Sequence, residues 1–267
     1  MAVREITLQN SPSFHLVPFF CENVVVDHVT VHAPSDSPNT DGVDPICSHD
    51  VLISNCTIDT GDDDISVKTY GVVDPDATPD PTADASRIWI TGCTFLHGHG
   101  LSLGSVTTGG IHDVVAYNCT FQGTQNGLRI KSGRDRGGTV QNILYYNIKM
   151  QNVSPAITFT SFYTGPVDTN PAPITATTPF YHDIAIVGLK ASGGAEAASF
   201  IGLPEAPYER ILLADVQVSA GTGAVVENAS LTVQNVNITV QQGPAYILNQ
   251  GASVNPVNPG VLDQVFP

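Results

Sequence analysis

Positive charge is what this sequence lacks. Ten Lys and Arg stand against 25 Asp and Glu, a formal charge of −15 in 267 residues. Nucleic acid wants a basic face for its phosphates, so a nucleic-acid partner is excluded. Long apolar runs are missing too. No stretch approaches the roughly 20 residues that a spanning helix needs, so no membrane partner is expected. Charged residues of both signs make up only 13%, against 42% hydrophobic. That composition rules out a disordered polyelectrolyte. The five cysteines are odd in number and contain no CxxC pair, so zinc and dithiol chemistry start without support. Met1-Ala2-Val3-Arg4 opens no charged n-region, apolar h-region or cleavage site. A chain that begins so is cytoplasmic, a trimmed mature form, or a fragment.

Turn and strand formers are plentiful instead. With 24 Gly, 19 Pro and many Asn and Thr, strands and turns are favoured over helices. One short pattern recurs as NVVVDHVTV (23–31), DVLISNCTI (50–58), RIWITGCTF (87–95), DVVAYNCTF (113–121) and NILYYNIKM (142–150). It continues more weakly at 183–191, 210–218 and 230–238. Alignment stacks Val29, Cys56, Cys93, Cys119, Ile148, Leu189, Val216 and Val236, at spacings of 27, 37, 26, 29, 41, 27 and 20 residues. A fixed motif with variable spacers describes the coils of a solenoid with loops of unequal length. The preceding residues are His28, Asn55, Gly92, Asn118, Asn147, Gly188, Asp215 and Asn235. These types tolerate a left-handed backbone, so the same sharp corner is expected in every coil. The architecture predicted is all-β: a single-stranded, right-handed parallel β-helix, with the hand taken from general chirality. Residues 1–267 form one such domain, with 251–267 as a tail over the last coil. Cys56, Cys93 and Cys119 become a ladder of buried, reduced thiols. The pairing of Cys21 and Cys47 stays open.

A second strand follows each corner, at 64–68, 100–104, 127–131 and 156–160. Alternation points Ile65, Leu101, Leu128 and Ile157 inward. The outward row then reads Ser66, Ser102, Arg129 and Thr158, and the next reads Lys68, Gly104, Lys131 and Thr160. Two residues back from the inward position stand Asp41, Asp63, His99 and Asn126, with Asp62 beside Asp63. Coils lie about 4.7–4.9 Å apart. Three carboxylates, an imidazole and two cations therefore share one sheet surface, read as exposed. An Asp at a strand start ordinarily caps a turn. Stacked like charges are different: they repel and raise one another's pKa, which is costly unless used. Glycoside hydrolysis needs this set, one carboxyl to protonate the leaving oxygen and another carboxylate to activate water or attack the sugar. Arg129, Lys131, Arg134 and Arg136 fall within eight positions, a local concentration that suggests an anionic ligand.

At these residues the sequence resembles a known family. NTDG (39–42), the GDD of TGDDDISVK (60–68), GHGLSLGS (98–105) and RIK (129–131) are similar to the four signature motifs of the polygalacturonases, glycoside hydrolase family 28, in the family's order. The resemblance implies hydrolysis of α-1,4 bonds in pectic galacturonan with inversion, without metal or other cofactor. By position it makes Asp62 the general acid and gives Asp41 and Asp63 the attacking water. His99 tunes the acid, and Arg129 and Lys131 bind the substrate carboxylate. Tyr163 matches a family substrate-binding tyrosine, and Lys68 joins the substrate-binding set from the register alone. An acidic optimum follows, because Asp62 must carry a proton. Two features depart from the family. Asp64 stands where Cys usually follows GDD, and only 38 residues precede NTDG, where several coils and a capping helix are usual. An uncapped end exposes unpaired strands and offers a route to association of an otherwise monomeric protein. The competing readings are a xylogalacturonan or rhamnogalacturonan hydrolase, a calcium-dependent pectate lyase, and a shortened helix that binds pectin without turnover. The acidic, Pro-rich loop 71–86 would favour exo attack if it walls one end of the cleft. Family members work outside the cell, so secretion of the parent protein is expected.

Overall fold

The computed structural model describes residues 1–70, 83–163 and 165–257. Among them are twenty strands and no helix, and every pairing between these strands is parallel. The chain winds as a right-handed parallel β-helix of three sheets. The first sheet runs through Ala2–Arg4, Glu22–Asp27, His49–Ser54, Ala85–Thr91 and Ile111–Tyr117, then through the leading parts of longer strands. The second contains Thr7–Gln9, Thr30–His32, Thr57–Thr60, Thr94–His97 and Thr120–Gln122. The third contains Ile65–Val67, Leu101–Leu103, Leu128–Lys131 and Ile157–Thr160.

All eight corner residues adopt the left-handed conformation, with φ between +50° and +71°. Glu5, at φ +55°, adds a ninth corner ahead of them. Two neighbouring pairs of polar side chains in this row bond to each other from coil to coil. Asn147 donates to Asn118 at 2.7 Å, and Asn235 to Asp215 at 2.6 Å. A second left-handed row was not legible in the sequence. Asn23, Asp50, Arg87, Asp113, Asn142, Asp183 and Arg210 hold φ between +51° and +56°, five residues ahead of the corners from His28 to Asp215. Ion pairs tie part of this row together, with Arg87 on Asp50 and Arg210 on Asp183.

The core is a set of stacks along the helix axis. Val31, Ile58, Phe95, Phe121 and Met150 follow one another in register, all buried. The Phe95 and Phe121 rings lie 4.7 Å apart. Each such side chain contributes about 1.5–3 kcal/mol by leaving water. Cys56, Cys93 and Cys119 are free thiols, each 1% exposed. Neither Cys21 nor Cys47 is in a disulfide. Most of the loop expected to border the cleft, 71–82, and the end of the tail, 258–267, lie outside the described residues.

Candidate active site

The third sheet has the predicted register. Val43 faces Ile65, Ile65 faces Leu101, and Leu101 faces Leu128. Ser66, Ser102 and Arg129 stand in one outward row. The outward face is not exposed, however. Ser66 and Ser102 are fully buried, Asp63 is 1% exposed and Lys131 4%. This corrects the expectation of an open sheet surface. Two aromatic rings flank the face, Phe14 with its ring 4.3 Å from the Lys68 ammonium and Tyr163 with its ring 4.9 Å from that of Lys131. The acids and cations therefore form the floor of a recess, where low polarity strengthens every charge interaction.

Local backbone places His99. Gly98 and Gly100 flank it at φ +60° and +77°. A Cβ on Gly98 would strike the Asp62 carbonyl and the Asp64 carboxyl, and one on Gly100 would strike the Asn126 carbonyl. The chain therefore passes close over the GDD turn only without side chains on either side of the imidazole. His99 Nδ1 lies 3.0 Å from Asp62 Oδ1 and 4.0 Å from Asp63 Oδ1.

The acids sit in unlike surroundings. Asp63 accepts from Lys131 Nζ at 2.7 Å and from the Ser102 hydroxyl at 2.8 Å, with Arg129 at 3.4 Å. Asp62 keeps 23% of its side chain exposed and accepts from the backbone N–H of Asn39 at 3.1 Å and of Asp63 at 2.9 Å. Burial opposes its charge, but His99 and these two N–H groups outweigh that and hold the carboxyl well below the usual range. In the free protein Asp62 is thus ionised, which differs from the sequence expectation of a standing proton there. Burial pushes Asp41 the other way, upward, against the pull of Lys68, with Asp63 and Asp62 adding repulsion. Asp64 turns inward and is fully buried. It accepts from the Gly100 N–H at 2.9 Å, and burial raises it strongly.

The cations divide in the same way. Lys68 points its ammonium at Asp41, 2.8 Å away, and Asp44, 2.6 Å away, rather than at open space. Arg134 is paired with Glu205 and Arg136 with Asp135. The basic run therefore delivers only Arg129 and Lys131 to the recess. Both retain capacity: a guanidinium has five N–H donors and an ammonium three, and the Arg129 Nε is buried without a partner. The Tyr163 ring lies against both, with the Arg129 guanidinium 5.5 Å from its centroid. Sequence reasoning missed Asp44, although its register beside Ser66 could have shown it. Asp62, Asp63 and His99 each bring one potential metal-ligating atom within 4.8 Å of the others. Asp63 already accepts from Lys131, Ser102 and Arg129, so a metal would compete with an ammonium 2.7 Å away.

Comparison with known proteins follows the same line. A model of the family described as glycosyl hydrolases family 28 matches residues 1–245. A polygalacturonase of Juniperus ashei is 38% identical over 167 residues, 61% of this chain and 30% of that protein. An endo-polygalacturonase of Pectobacterium carotovorum subsp. carotovorum is 35% identical over 158 residues, 59% of this chain and 37% of that protein. This chain therefore spans about a third of the length of these curated relatives. The crystal structure of a hyperthermoactive exopolygalacturonase from Thermotoga maritima superposes with a TM-score of 0.76 at 26% identity, covering 89% of this chain and 52% of that one. With nine-tenths of its residues matched by the family model and its fold shared with that enzyme, the chain belongs to glycosyl hydrolases family 28.

Proposed function

We propose that the chain hydrolyses α-1,4 bonds between galacturonic acids in pectic galacturonan, with inversion and without a metal. The observation that carries this is the convergence of Asp41, Asp62, Asp63 and His99 with two cations on one recessed floor. Relatives named as polygalacturonases support the substrate class.

Asp62 is the general acid. It lies at the more open side of the floor and has His99 at hydrogen-bond distance. Its proton arrives with substrate. A sugar chain over the recess removes water from the exposed part of Asp62, and desolvation is the largest influence raising that carboxyl. Asp41 and Asp63 hold and activate the attacking water, the part of a general base in inversion. Arg129 and Lys131 offer their spare N–H donors to the substrate carboxylate, and Tyr163 supplies an apolar wall. Pectin lies outside cells, so the parent protein acts there.

The test is reducing-end release from polygalacturonic acid near pH 5, in EDTA, with absorbance near 235 nm followed in parallel. Hydrolysis gives new ends without absorbance. Absorbance that needs calcium identifies a lyase and overturns the proposal. Release from xylogalacturonan or rhamnogalacturonan alone moves it to a sister activity. Binding without release leaves a pectin-binding helix. Monomer against mixed oligomers separates exo from endo attack.

A further inference from the structure

Behind Asp41 lies an arrangement that the proposed reaction leaves unexplained. Asp44 is completely buried, and its Oδ2 accepts from Lys68 Nζ at 2.6 Å. Its Oδ1 is buried with no hydrogen-bond partner. The same ammonium donates to Asp41 Oδ2 at 2.8 Å and lies over the Phe14 ring, 4.3 Å from its centroid. No protein donor reaches Asp41 Oδ1 among the described residues. The charged groups facing Asp41 are Lys68, Asp44, Asp62 and Asp63, and the His15 ring lies 3.0 Å from its backbone carbonyl.

Two carboxylates share one ammonium in a sealed place. If both were ionised, an uncompensated negative charge would be buried, which is expensive. One proton on the pair removes that cost. Asp44 is the better holder, because it has no solvent contact and a protonated carboxyl still offers Oδ2 to Lys68. The positive charge of Lys68 is then free to act on Asp41.

We propose that Asp44 and Lys68 are positioning residues for Asp41: Asp44 seats the Lys68 ammonium as a neutral acid, and Lys68 fixes the Asp41 carboxylate through Oδ2 and keeps it ionised, leaving Oδ1 for the attacking water. This rests on the reading of Asp41 as a water-activating group. It replaces the assignment of Lys68 to the substrate.

Two measurements test it. The first is a carboxyl NMR titration of protein labelled with ¹³C at aspartate, with the Asp44 signal assigned by its loss in Asp44→Asn. The signal is expected to keep the shift of a neutral acid through about pH 6, above the ordinary aspartate range. An Asp44 already ionised at pH 5 overturns the proposal. This readout does not need turnover, so a chain inactive on galacturonan is told apart from a failed inference. The second is the pH profile of kcat. Lys68→Met is expected to move the acid limb up by about one unit or more, since the cation favouring charged Asp41 is gone. KM is expected to change less than about threefold, and Lys68→Arg to restore most of kcat. In Asp44→Asn the acid limb is expected to stay where wild type has it, since one neutral group replaces another. A rise in KM with an unmoved limb in Lys68→Met returns Lys68 to the substrate and overturns the proposal. So does a downward shift of a unit in Asp44→Asn, which would show Asp44 ionised. Lys68→Gln replaces Lys68→Met if the latter does not fold.

Discussion

Lys131→Met isolates the electrostatics of the recess floor. Lys131 and Asp63 have side chains only 5% and 2% exposed, and their ion pair is 2.7 Å long. Removing the ammonium leaves a buried carboxylate with Arg129 at 3.4 Å and the Ser102 hydroxyl at 2.8 Å. Loss of one partner from a buried pair costs about 3–5 kcal/mol. Those two remaining donors place the expected loss near the lower end. Unfolding entropy is about 2.1 cal/mol/K per residue, or roughly 0.56 kcal/mol/K for a chain of 267. The thermal midpoint is therefore expected to fall by about 5–6 °C, followed by circular dichroism at pH 7. Adding Asp63→Asn to the same variant removes the stranded charge and is expected to recover part of the loss. Arg87→Met, which breaks an exposed pair with Asp50, is the control and is expected to leave the midpoint nearly unmoved. A folded Lys131→Met protein that melts within about 2 °C of wild type would refute the claim that this pair is desolvated.

Three further outcomes follow from the same geometry. His99→Gln removes the ring that holds Asp62 low, so the basic limb of kcat/KM is expected to move upward while kcat falls about 10²-fold; a limb that stays put separates His99 from the acid. In wild type, the basic limb of kcat is expected to lie above that of kcat/KM, since bound substrate raises Asp62; coincident limbs refute loading by desolvation. Asp64 is raised in the folded state, so the native protein retains a proton there that the unfolded chain releases above about pH 4. Stability contributed by that proton is present at pH 4 and lost as pH rises toward the raised value. Asp64→Asn is therefore expected to match wild type in melting temperature at pH 4 and to exceed it at pH 8, because Thr60 Oγ1, 3.3 Å away, can accept from the new amide. A variant less stable at both pH values contradicts a neutral Asp64.

The fold was legible because its repeat is chemical as well as periodic. Eight residues of types that tolerate positive φ, each ahead of an apolar residue, marked one corner of every coil. Glu5 escaped because glutamate is not a type that signals a left-handed residue. The second left-handed row escaped for the same reason at Arg87 and Arg210, which ion pairs with Asp50 and Asp183 hold in place. For the site, alternation gave the register of the third sheet and the outward direction of Arg129 and Lys131. Asp41, Asp63 and His99 stand two residues before inward positions, ahead of the strands, where strict alternation would turn them inward, and the motif resemblance placed them with the cations. Alternation carries no information on what covers that face, and the burial of Ser66, Ser102 and Asp63 was missed with it. Side-chain pairing was equally out of reach. Lys68 looked available until Asp41 and Asp44 were seen to share it, and Arg134 until Glu205 was found beside it.

The central claim is tested most directly by following a digest of galacturonan oligomers in real time by proton NMR. Inverting hydrolysis of an α-1,4 bond predicts that the β-anomer of the new reducing end appears first and the α-anomer grows in only by mutarotation. Asp62→Asn is expected to abolish both signals in a protein that still folds. An α-anomer formed first, or the alkene proton of an unsaturated uronate, would contradict an acid and a water-activating pair working across this floor.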